Sequence, residues 1–405
     1  MKSKVDIDMN EKDSLNETGK VKIAYVTTIH NTLDWFVVPT LRNLAQNSYA
    51  VSIFSSMDEA FIQKNSDFAK CYKMNFMRGI VNPFQAIRSI NQLRKIFKKE
   101  KFDIVRYMSP NASFYASIAA RLAGIKYRIY DQAGLRYVGM TGFKRRVFKL
   151  VEKITCTNSS HIKAQSRKNM EYVVQEKICS KNKISIVGIG GTIGVDLQRF
   201  DLSKKEAFKE LARNRYGINS KAFVFGFLGR INKDKGIDEL LTAFKGILLE
   251  HPNCALMICG MYDSQNPIDS DLYAWALNSK SVFFTGNIIT EDVFFHLCAM
   301  DILVHPTYRE GFGMVLQEAM GAQLPIITTD IPGPSEVIEN GISGLLVPVK
   351  KWADLKEQMI FLMQNDSLRD NLAKNGRTRV ERYFDRPVML KNNLDDIKKI
   401  LDERN

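Results

Sequence analysis

Residues 305–336, HPTYREGFGMVLQEAMGAQLPIITTDIPGPSE, decide the fold of this chain. The apolar run 302–304 comes directly before them and predicts a buried strand. A loop with two glycines follows, then apolar residues at helical spacing between Val315 and Met320, and then a second apolar run at 325–327. Strand, glycine loop, helix and strand in this order form one unit of a doubly wound α/β sheet, in which ligands bind where strands end and helices begin.

Two carboxylates lie in this segment, eight residues apart, with Glu310 before the predicted helix and Glu318 inside it. Gly311 and Gly313 allow backbone N–H groups to approach an anion closely, and the start of the helix adds a partial positive charge. An ionised carboxylate only accepts hydrogen bonds and has room for two donors, which suits a sugar hydroxyl. The spacing alone also fits two solvated acids on a surface helix.

Two longer stretches resemble a known family. Residues 310–348, EGFGMVLQEAMGAQLPIITTDIPGPSEVIENGISGLLVP, resemble the signature of retaining glycosyltransferases of family 4, which have the GT-B fold. Residues 227–244, FLGRINKDKGIDELLTAF, match the G-R-x-x-x-x-K-G pattern of that family in full. The resemblance is specific from Gly191 to about Phe384 and looser over the first half. It implies an α/β chain with two Rossmann-like, doubly wound domains that face each other across a cleft.

The resemblance also implies roles for individual residues. Arg230 and Lys235 follow the end of a predicted strand, and both suit a diphosphate. Arg can bind two phosphate oxygens, and Lys adds a point charge. Relatives use these two residues on the diphosphate of a nucleotide sugar, and both are expected on an exposed loop. Glu318 is expected to hold the ribose and Glu310 to lie near the donor sugar. The expected catalytic residues are Arg230, Lys235 and Glu310. The expected nucleotide-sugar site consists of Gly229, Arg230, Lys235, Gly260, Asn287, Glu310, Gly311, Phe312, Gly313 and Glu318. We expect no metal and no cofactor besides the nucleotide-sugar substrate.

Patterning along the chain predicts the domain organisation. We expect a disordered tail at 1–20, an N-terminal acceptor- and membrane-facing Rossmann-like domain at 21–190, and a C-terminal nucleotide-sugar domain at 191–386. The glycines at 191–194 are expected to form the hinge, and by the resemblance a terminal helix at 387–405 packs back on the first domain. The predicted strands are 21–28, 49–54, 102–108, 126–130, 154–158, 183–187, 222–228, 255–259 and 282–285. The predicted helices are 35–45, 82–99, 112–123, 237–249 and those from about 352 onward.

The charge of the chain is uneven. The formal net charge is +14, and residues 1–200 contain 33 of the 58 Lys and Arg residues but only 16 of the 44 Asp and Glu residues. All of the basic excess therefore lies in the first half. A basic half predicts an anionic partner, which is either a nucleic acid or the surface of an acidic membrane.

Two segments of the basic half, 82–99 and 144–153, alternate cations with apolar residues. A basic amphipathic helix suits docking on a membrane surface, although a solvated helix packed on a core shows the same pattern. Nucleic-acid binding has no supporting motif, because the sequence shows no zinc finger, RNP sequence or helix-turn-helix pattern. We therefore expect no nucleic acid, and contact with an anionic membrane through Arg94, Lys95, Lys98, Lys99, Lys144, Arg145 and Arg146.

The loop predicted at 131–134 departs from the family pattern. Many relatives have a His-Gly pair here, whereas this chain has Ala133 before Gly134. Asp131 and Gln132 are candidates to replace that histidine in orienting the donor sugar or the acceptor. A loop without a chemical role is the alternative.

The sequence as a whole predicts an enzyme. The polar residues 1–20 carry no secretory signal and the six cysteines show no paired spacing, so we expect a cytoplasmic protein that is peripheral on the inner face of the cell membrane. The resemblance implies a retaining glycosyltransferase. It would move a hexose or N-acetylhexosamine from a nucleotide sugar, UDP-linked, to a lipid-linked saccharide acceptor in capsule, exopolysaccharide or O-antigen biosynthesis. Two alternatives stay open: a nucleotide-sugar 2-epimerase of the same fold, and a basic nucleic-acid-binding protein with a degenerate sugar site.

Overall fold

A computed structural model describes residues 19–77, 83–135, 137–138, 140–191 and 193–403. Residues 1–18 of the predicted tail, Asn82 at the predicted start of a helix, Thr192 in the predicted hinge and residues 404–405 of the predicted terminal helix lie outside these ranges. The described ranges contain thirteen strands and sixteen α-helices.

The strands are β1 Val21–Ile29, β2 Tyr49–Ser56, β3 Ala69–Lys73, β4 Ile104–Met108, β5 Tyr127–Gln132, β6 His161–Ala164, β7 Ile184–Ile186, β8 Phe223–Leu228, β9 Cys254–Cys259, β10 Val282–Gly286, β11 Ile302–His305, β12 Ile326–Thr329 and β13 Leu345–Val347. They form a seven-stranded sheet in the order β3-β2-β1-β4-β5-β6-β7 and a six-stranded sheet in the order β10-β9-β8-β11-β12-β13. Neighbouring strands of the six-stranded sheet all pair in parallel. Two parallel, Rossmann-like sheets confirm the predicted fold class.

The helices are α1 His30–Phe36, α2 Val38–Gln46, α3 Glu59–Asn65, α4 Pro83–Glu100, α5 Pro110–Leu122, α6 Gly142–Asn158, α7 Arg167–Gln175, α8 Lys205–Tyr216, α9 Ile237–Glu250, α10 Ser270–Asn278, α11 Val293–Cys298, α12 Met314–Gly321, α13 Pro334–Val337, α14 Trp352–Gln364, α15 Asp366–Tyr383 and α16 Arg386–Asp402. None of the helices in the described ranges combines the length and the hydropathy needed to cross a bilayer.

The six-stranded sheet is buried on both faces, as expected for a parallel sheet covered by helices. Along β8, Val224 and Leu228 belong to one apolar core, and Phe225 and Phe227 belong to the core on the other face. This alternation follows from the two-residue period of a strand. The edge where the strands end is left for polar residues and glycines.

Two of the predicted elements are wrong. The strand predicted at 154–158 is the last turn of α6, because Thr155 and Cys156 continue its buried face and the Thr155 hydroxyl donates to the Val151 carbonyl at 2.9 Å. Packing of a helix face thus overrides the strand preference of β-branched residues. The single helix predicted at 35–45 is divided at Val37, since Pro39 has no N–H and occupies the first turn of α2.

The described chain forms two compact units. One contains the residues up to Tyr130 together with Asn158–Ser160, and the other contains Asp131–Thr157 and the residues from His161 onward. Within the second unit, Asp396 of α16 accepts a hydrogen bond from the ammonium group of Lys163 at 2.6 Å. The domain boundary between residues 190 and 191 stays a prediction.

Candidate functional site

The residues predicted to contact a nucleotide sugar begin where three strands of the six-stranded sheet end. Gly229 follows β8, Gly260 follows β9 and Asn287 follows β10. The Gly229 N–H donates to the Cys259 carbonyl at 2.9 Å, and the Gly260 N–H donates to the Gly286 carbonyl at 2.9 Å, so the three turns form one edge. Gly260 has a φ of 145°, and a side chain there would overlap with the Gly229 carbonyl. Only glycine therefore allows these turns to approach so closely.

Arg230 extends into solvent from this edge, with 71% of its side chain exposed. Its guanidinium lies 3.4 Å from a carboxylate oxygen of Asp263. Asn232 donates to the same oxygen at 3.1 Å and accepts the Lys235 N–H at 3.1 Å. Hydrogen bonds from Asn232 and from the Gln265 N–H hold the pKa of Asp263 below its usual range. Asp263 is thus an anion beside the Arg230 side chain at the strand edge.

The loop after β8 folds back on the end of β11. Gly236, which precedes α9, has a φ of 70°, and a side chain there would overlap with the Pro306 carbonyl. Glycine at this position lets the short turn Lys233–Lys235 lie against the segment that follows β11. The G-R-x-x-x-x-K-G spacing therefore has a steric cause in this structure.

Lys235 and Glu310 form an ion pair, in which the Lys235 ammonium donates to Oε2 of Glu310. Nε2 of His305 lies 3.5 Å from the same oxygen, and the Gly311 N–H donates to Oε1 at 3.2 Å. Only 16% of the Lys235 side chain is exposed. The expectation that Lys235 lies on an exposed loop is therefore wrong, because the ion pair draws its side chain inward.

Electrostatics fix the protonation states of this group. Burial alone would raise the pKa of Glu310, but the hydrogen bond from His305 and the positive charge of Lys235 outweigh it and hold that pKa well below its usual range. Burial lowers the pKa of His305. At neutral pH Glu310 is therefore a carboxylate and His305 is a neutral imidazole.

The glycine loop after Glu310 presents backbone rather than side chains. Gly313 has a φ of 87° and caps α12, where a side chain would contact Leu316. The Phe312 ring is buried in the apolar core, 5.6 Å from the ring of Phe384, so only its backbone is available to a ligand. A Cβ on Gly311 would lie 3.2 Å from the Ala133 carbonyl oxygen. The loop where the expected histidine is missing thus contacts the glycine loop through its backbone.

Glu318 lies inside α12 in the environment of two arginines. The residue keeps some exposure, but burial of its carboxyl group raises the pKa to about 7, and the positive charges of Arg199 and Arg386 offset part of this effect. Arg386 is also paired with Asp196 at 3.1 Å. A carboxyl group with this pKa changes its charge within the physiological pH range.

The segment predicted as a loop at 131–134 begins inside the sheet, because Asp131 and Gln132 are the last two residues of β5. Gln132 is buried, and its amide donates to a carboxylate oxygen of Glu152 at 2.6 Å. The Gln132 side chain is therefore fixed by α6, and Ala133 is the first exposed residue after the strand.

The predicted membrane residues of α4 lie on its outer surface. Ser89, Leu93 and Phe97 form the buried face, whereas Lys95, Lys98 and Lys99 are exposed and Arg94 is half-buried. Two large apolar residues, Phe84 and Ile87, are exposed by 82% and 56% in the first turns of the same helix. The exposed surface of α4 therefore combines apolar and basic side chains.

The basic run in α6 is divided between two faces. Lys144 and Arg146 are exposed, whereas Arg145 donates to Glu176 at 3.1 Å. Consecutive residues of a helix point about 100° apart, so three adjacent cations cannot share one face. Phe143 and Leu150 add large exposed apolar side chains to the outer face.

Two residues of the site were missed by the sequence analysis. His305 is the last residue of β11 and Asp263 follows β9 by a few residues, so both lie at strand ends, where ligands bind in this kind of sheet. Their position at strand ends was the signal in the sequence that could have identified them as site residues. Their pairing with Glu310 and Arg230 depends on side-chain geometry, which no residue spacing shows.

Comparisons with known proteins identify the family of this chain. The family described as "Glycosyl transferases group 1" matches residues 208–379, and "Glycosyl transferase 4-like" matches residues 22–166. The capsular polysaccharide biosynthesis glycosyltransferase CapM of Staphylococcus aureus is 30% identical over 91% of this chain and 94% of its own length.

A second relative, from Campylobacter jejuni, is an N,N'-diacetylbacillosaminyl-diphospho-undecaprenol α-1,3-N-acetylgalactosaminyltransferase. It is 26% identical over 88% of this chain and 93% of its own length. The structure of Anabaena HepE in complex with UDP and glucose superposes with a TM-score of 0.75 at 15% identity, covering 93% of this chain and 99% of that chain. The chain therefore belongs to the glycosyl transferases group 1 family, has the GT-B fold, and is a glycosyltransferase of polysaccharide biosynthesis.

Proposed function

We propose that this protein transfers a hexose or N-acetylhexosamine from a UDP-sugar to a lipid-linked saccharide, with retention of the anomeric configuration. The observation that carries the proposal is the arrangement at the carboxyl edge of the six-stranded sheet, where Asp263 and Asn232 link Arg230 to the Lys235–Glu310 ion pair. It joins two cations suited to a diphosphate with a carboxylate suited to a sugar hydroxyl. The names of the relatives support the substrate classes, since one acts on a diphospho-undecaprenol saccharide and one is seen with UDP and glucose.

The bond that breaks joins the anomeric carbon of the sugar to the diphosphate. Negative charge grows on the departing diphosphate in the transition state, and groups aimed at that charge lower the barrier. In the proposed mechanism, Arg230, Lys235 and the N–H groups of residues 311–313 stabilise this charge. These groups take the place of a metal ion, so we propose that the reaction needs none.

The two carboxylates have separate roles in this proposal. Glu318 accepts hydrogen bonds from the ribose, and Glu310 accepts them from the donor sugar. The ionised state of Glu310 fits its role, because only a carboxylate offers acceptors on both oxygens. The acceptor hydroxyl attacks the face of the sugar from which the diphosphate leaves, which gives retention.

We place the enzyme in the cytoplasm, on the inner face of the cell membrane. The exposed cations of α4, together with Phe84 and Ile87 exposed in the first turns of the same helix, support contact with anionic lipid. The basic excess of residues 1–200 supports the same assignment. A lipid-linked acceptor would be met at this surface.

Purified protein with isotope-labelled UDP-hexoses and UDP-N-acetylhexosamines, and a polyprenyl-diphosphate saccharide as acceptor, tests the proposal. We expect label to move to the lipid product from one donor, with the donor's anomeric configuration in the product and with undiminished rate in the presence of EDTA. Conversion of the UDP-sugar to its C2 epimer without acceptor would instead identify a 2-epimerase. An inverted product would contradict the retaining mechanism.

A further inference from the structure

His305 is a fully enclosed polar residue at the centre of the proposed donor site. It ends β11, a central strand of the six-stranded sheet, and only 1% of the residue is exposed. Its carbonyl accepts hydrogen bonds from the Thr328 hydroxyl at 2.8 Å and from the Thr307 N–H at 2.9 Å. The backbone of this residue is therefore fixed by its neighbours in the sheet.

The imidazole ring is fixed as well. It stacks on Phe227 of β8, with ring centroids 5.5 Å apart and planes at 14°. Its Cε1 edge lies 3.8 Å from the position that a Cβ on Gly229 would take. The ring thus lies between the glycine at the end of β8 and the Glu310 carboxylate, which Nε2 approaches to 3.5 Å.

The two ring nitrogens have different surroundings. Nδ1 is buried and has no hydrogen-bond partner among the described residues, whereas Nε2 faces an oxygen of Glu310. A neutral imidazole has one N–H, and an N–H left buried without an acceptor is costly. The proton therefore belongs on Nε2, where it is donated to Glu310, and Nδ1 keeps a lone pair that is buried without a hydrogen-bond partner among the described residues.

Glu310 then has two kinds of donor on Oε2: the charged Lys235 and the neutral His305. In the proposed reaction the diphosphate, a dianion, attracts the Lys235 ammonium group. Lys235 therefore loses part of its interaction with the single carboxylate of Glu310. His305 is enclosed and cannot leave. It is the side-chain donor that remains on Oε2 of Glu310 throughout the reaction, while the Gly311 N–H donates to Oε1.

We propose that His305 is a positioning residue for this reaction, whose neutral Nε2–H orients the Glu310 carboxylate towards the donor sugar while Lys235 is engaged by the diphosphate. His305 itself touches neither the sugar nor the diphosphate. The kinetic part of this inference rests on the proposed function.

The alternative is that His305 only fills space between Phe227 and the strand edge. Two substitutions separate the possibilities. His305→Leu removes the donor but keeps an apolar side chain of similar size against Phe227, and His305→Gln keeps an amide N–H that can reach Glu310. A positioning residue is rescued by Gln and a space-filling residue is not.

We expect His305→Leu to lower kcat for hydrolysis or transfer of the UDP-sugar by about 10- to 100-fold, the usual effect of losing a hydrogen bond to a charged group. UDP affinity should change by less than about twofold, since UDP lacks the sugar. His305→Gln should recover most of kcat. An unchanged kcat in the Leu variant, or equal losses of kcat and UDP affinity in both variants, would overturn the proposal.

A measurement on the free protein separates this inference from the proposed function. The chain has five histidines, so a long-range ¹H–¹⁵N spectrum of protein labelled at histidine can resolve each ring. We expect a neutral Nε2–H tautomer for His305 between pH 6 and 8, and a shift of its signals in Glu310→Gln. A ring protonated in this range, or an Nδ1–H tautomer, would overturn the arrangement. Failure of every UDP-sugar to react would instead reject the proposed function.

Discussion

The carboxyl edge of the six-stranded sheet and the outer face of α4 both carry predicted functional cations, but they hold them differently. At the sheet edge, Lys235 is paired with Glu310, and Arg230 lies near Asp263. On α4, Lys95 and Lys98 extend into solvent from a helix whose first turns expose Phe84 and Ile87. The activity of a site whose groups pair with each other depends on every one of those groups. Binding by a charged surface depends instead on how many charges the surface carries. We therefore expect single substitutions to have large effects at the edge and small effects on the helix.

The largest effect should come from the two diphosphate cations. Replacing Arg230 or Lys235 by Ala should lower turnover by roughly 10²- to 10³-fold, because the departing diphosphate loses a partner for its growing charge. Lys233→Ala is a matched control, since Lys233 is an exposed cation of the same loop. Steady-state kinetics on the three variants measure this. Near wild-type kcat in either Arg230→Ala or Lys235→Ala would remove that residue from the mechanism.

Stability should also separate these two variants. Arg230 is exposed, so its loss should barely change the melting temperature. Lys235→Ala leaves the Glu310 carboxylate without its ammonium partner in a largely enclosed place, and should lower the melting temperature. Differential scanning calorimetry at neutral pH compares them. Equal melting temperatures would show that the Lys235–Glu310 pair is not maintained in solution.

The two carboxylates should differ in which ligand they affect, by about 10- to 100-fold in affinity or turnover. Glu318→Gln should weaken both UDP and the UDP-sugar, because the ribose belongs to both. Glu310→Gln should act on the UDP-sugar and on turnover, and leave UDP affinity nearly unchanged. Calorimetric titration with the two ligands measures the difference. Equal losses for both ligands in both variants would contradict the separate roles.

A smaller effect is expected from pH. Burial raises the pKa of Glu318 from 4.5 to about 7, so the folded protein binds more protons than the unfolded chain between these pH values. The stability of the protein should therefore fall as pH rises through that window.

The same pKa should make ligand binding depend on pH. Only the ionised form of Glu318 accepts both ribose hydroxyls, so affinity for uridine should rise about tenfold between pH 6 and 8. Uridine is used here in place of UDP, because UDP carries a phosphate that titrates in the same pH range. Titrations of Glu318→Gln should show no such rise; a rise of the same size in this variant would assign the effect to another group.

The smallest effect per side chain is expected on α4. Each Lys or Arg near an anionic surface contributes about 1 kcal/mol, which is roughly fivefold in binding, and salt screens the attraction. Replacing Arg94, Lys95, Lys98 and Lys99 by Ser should reduce co-sedimentation with anionic vesicles and transfer to a lipid-linked acceptor. UDP-sugar affinity should stay the same.

The matched control for α4 removes four exposed lysines from other parts of the chain: Lys280, Lys351, Lys374 and Lys391. This control has the same net charge as the α4 variant and should keep vesicle binding closer to that of the wild type. Equal binding by the two variants would mean that net charge, rather than the α4 surface, decides association. Unchanged binding in the α4 variant would leave this helix as a solvated helix packed on a core.

The fold was predictable from the sequence to the extent that local patterns agree with tertiary packing. The apolar run at 302–304 became β11 with one more residue, and the strand predicted at 255–259 became β9. The strand predicted at 154–158 was wrong because β-branched residues also occur in a helix when they continue its buried face. Strand and helix preferences are weak compared with burial.

For the candidate site, the sequence located the loops but not the partners. The glycine spacing indicated where Arg230 and Lys235 lie. It could not show that Lys235 turns inward to Glu310, because that depends on Gly236 packing against Pro306, which is seventy residues further along the chain but adjacent in space. Nor could it show that burial gives Glu318 a pKa near neutrality.

Saturation-transfer NMR with a panel of nucleotide sugars tests the central claim most directly, namely that the carboxyl edge of the six-stranded sheet binds a nucleotide sugar. We expect saturation of ribose and hexose protons for at least one UDP-sugar, competition by UDP, and loss of the ribose signals in Glu318→Gln. No saturation for any nucleotide sugar, or signals that are unchanged in Glu318→Gln, would contradict the account.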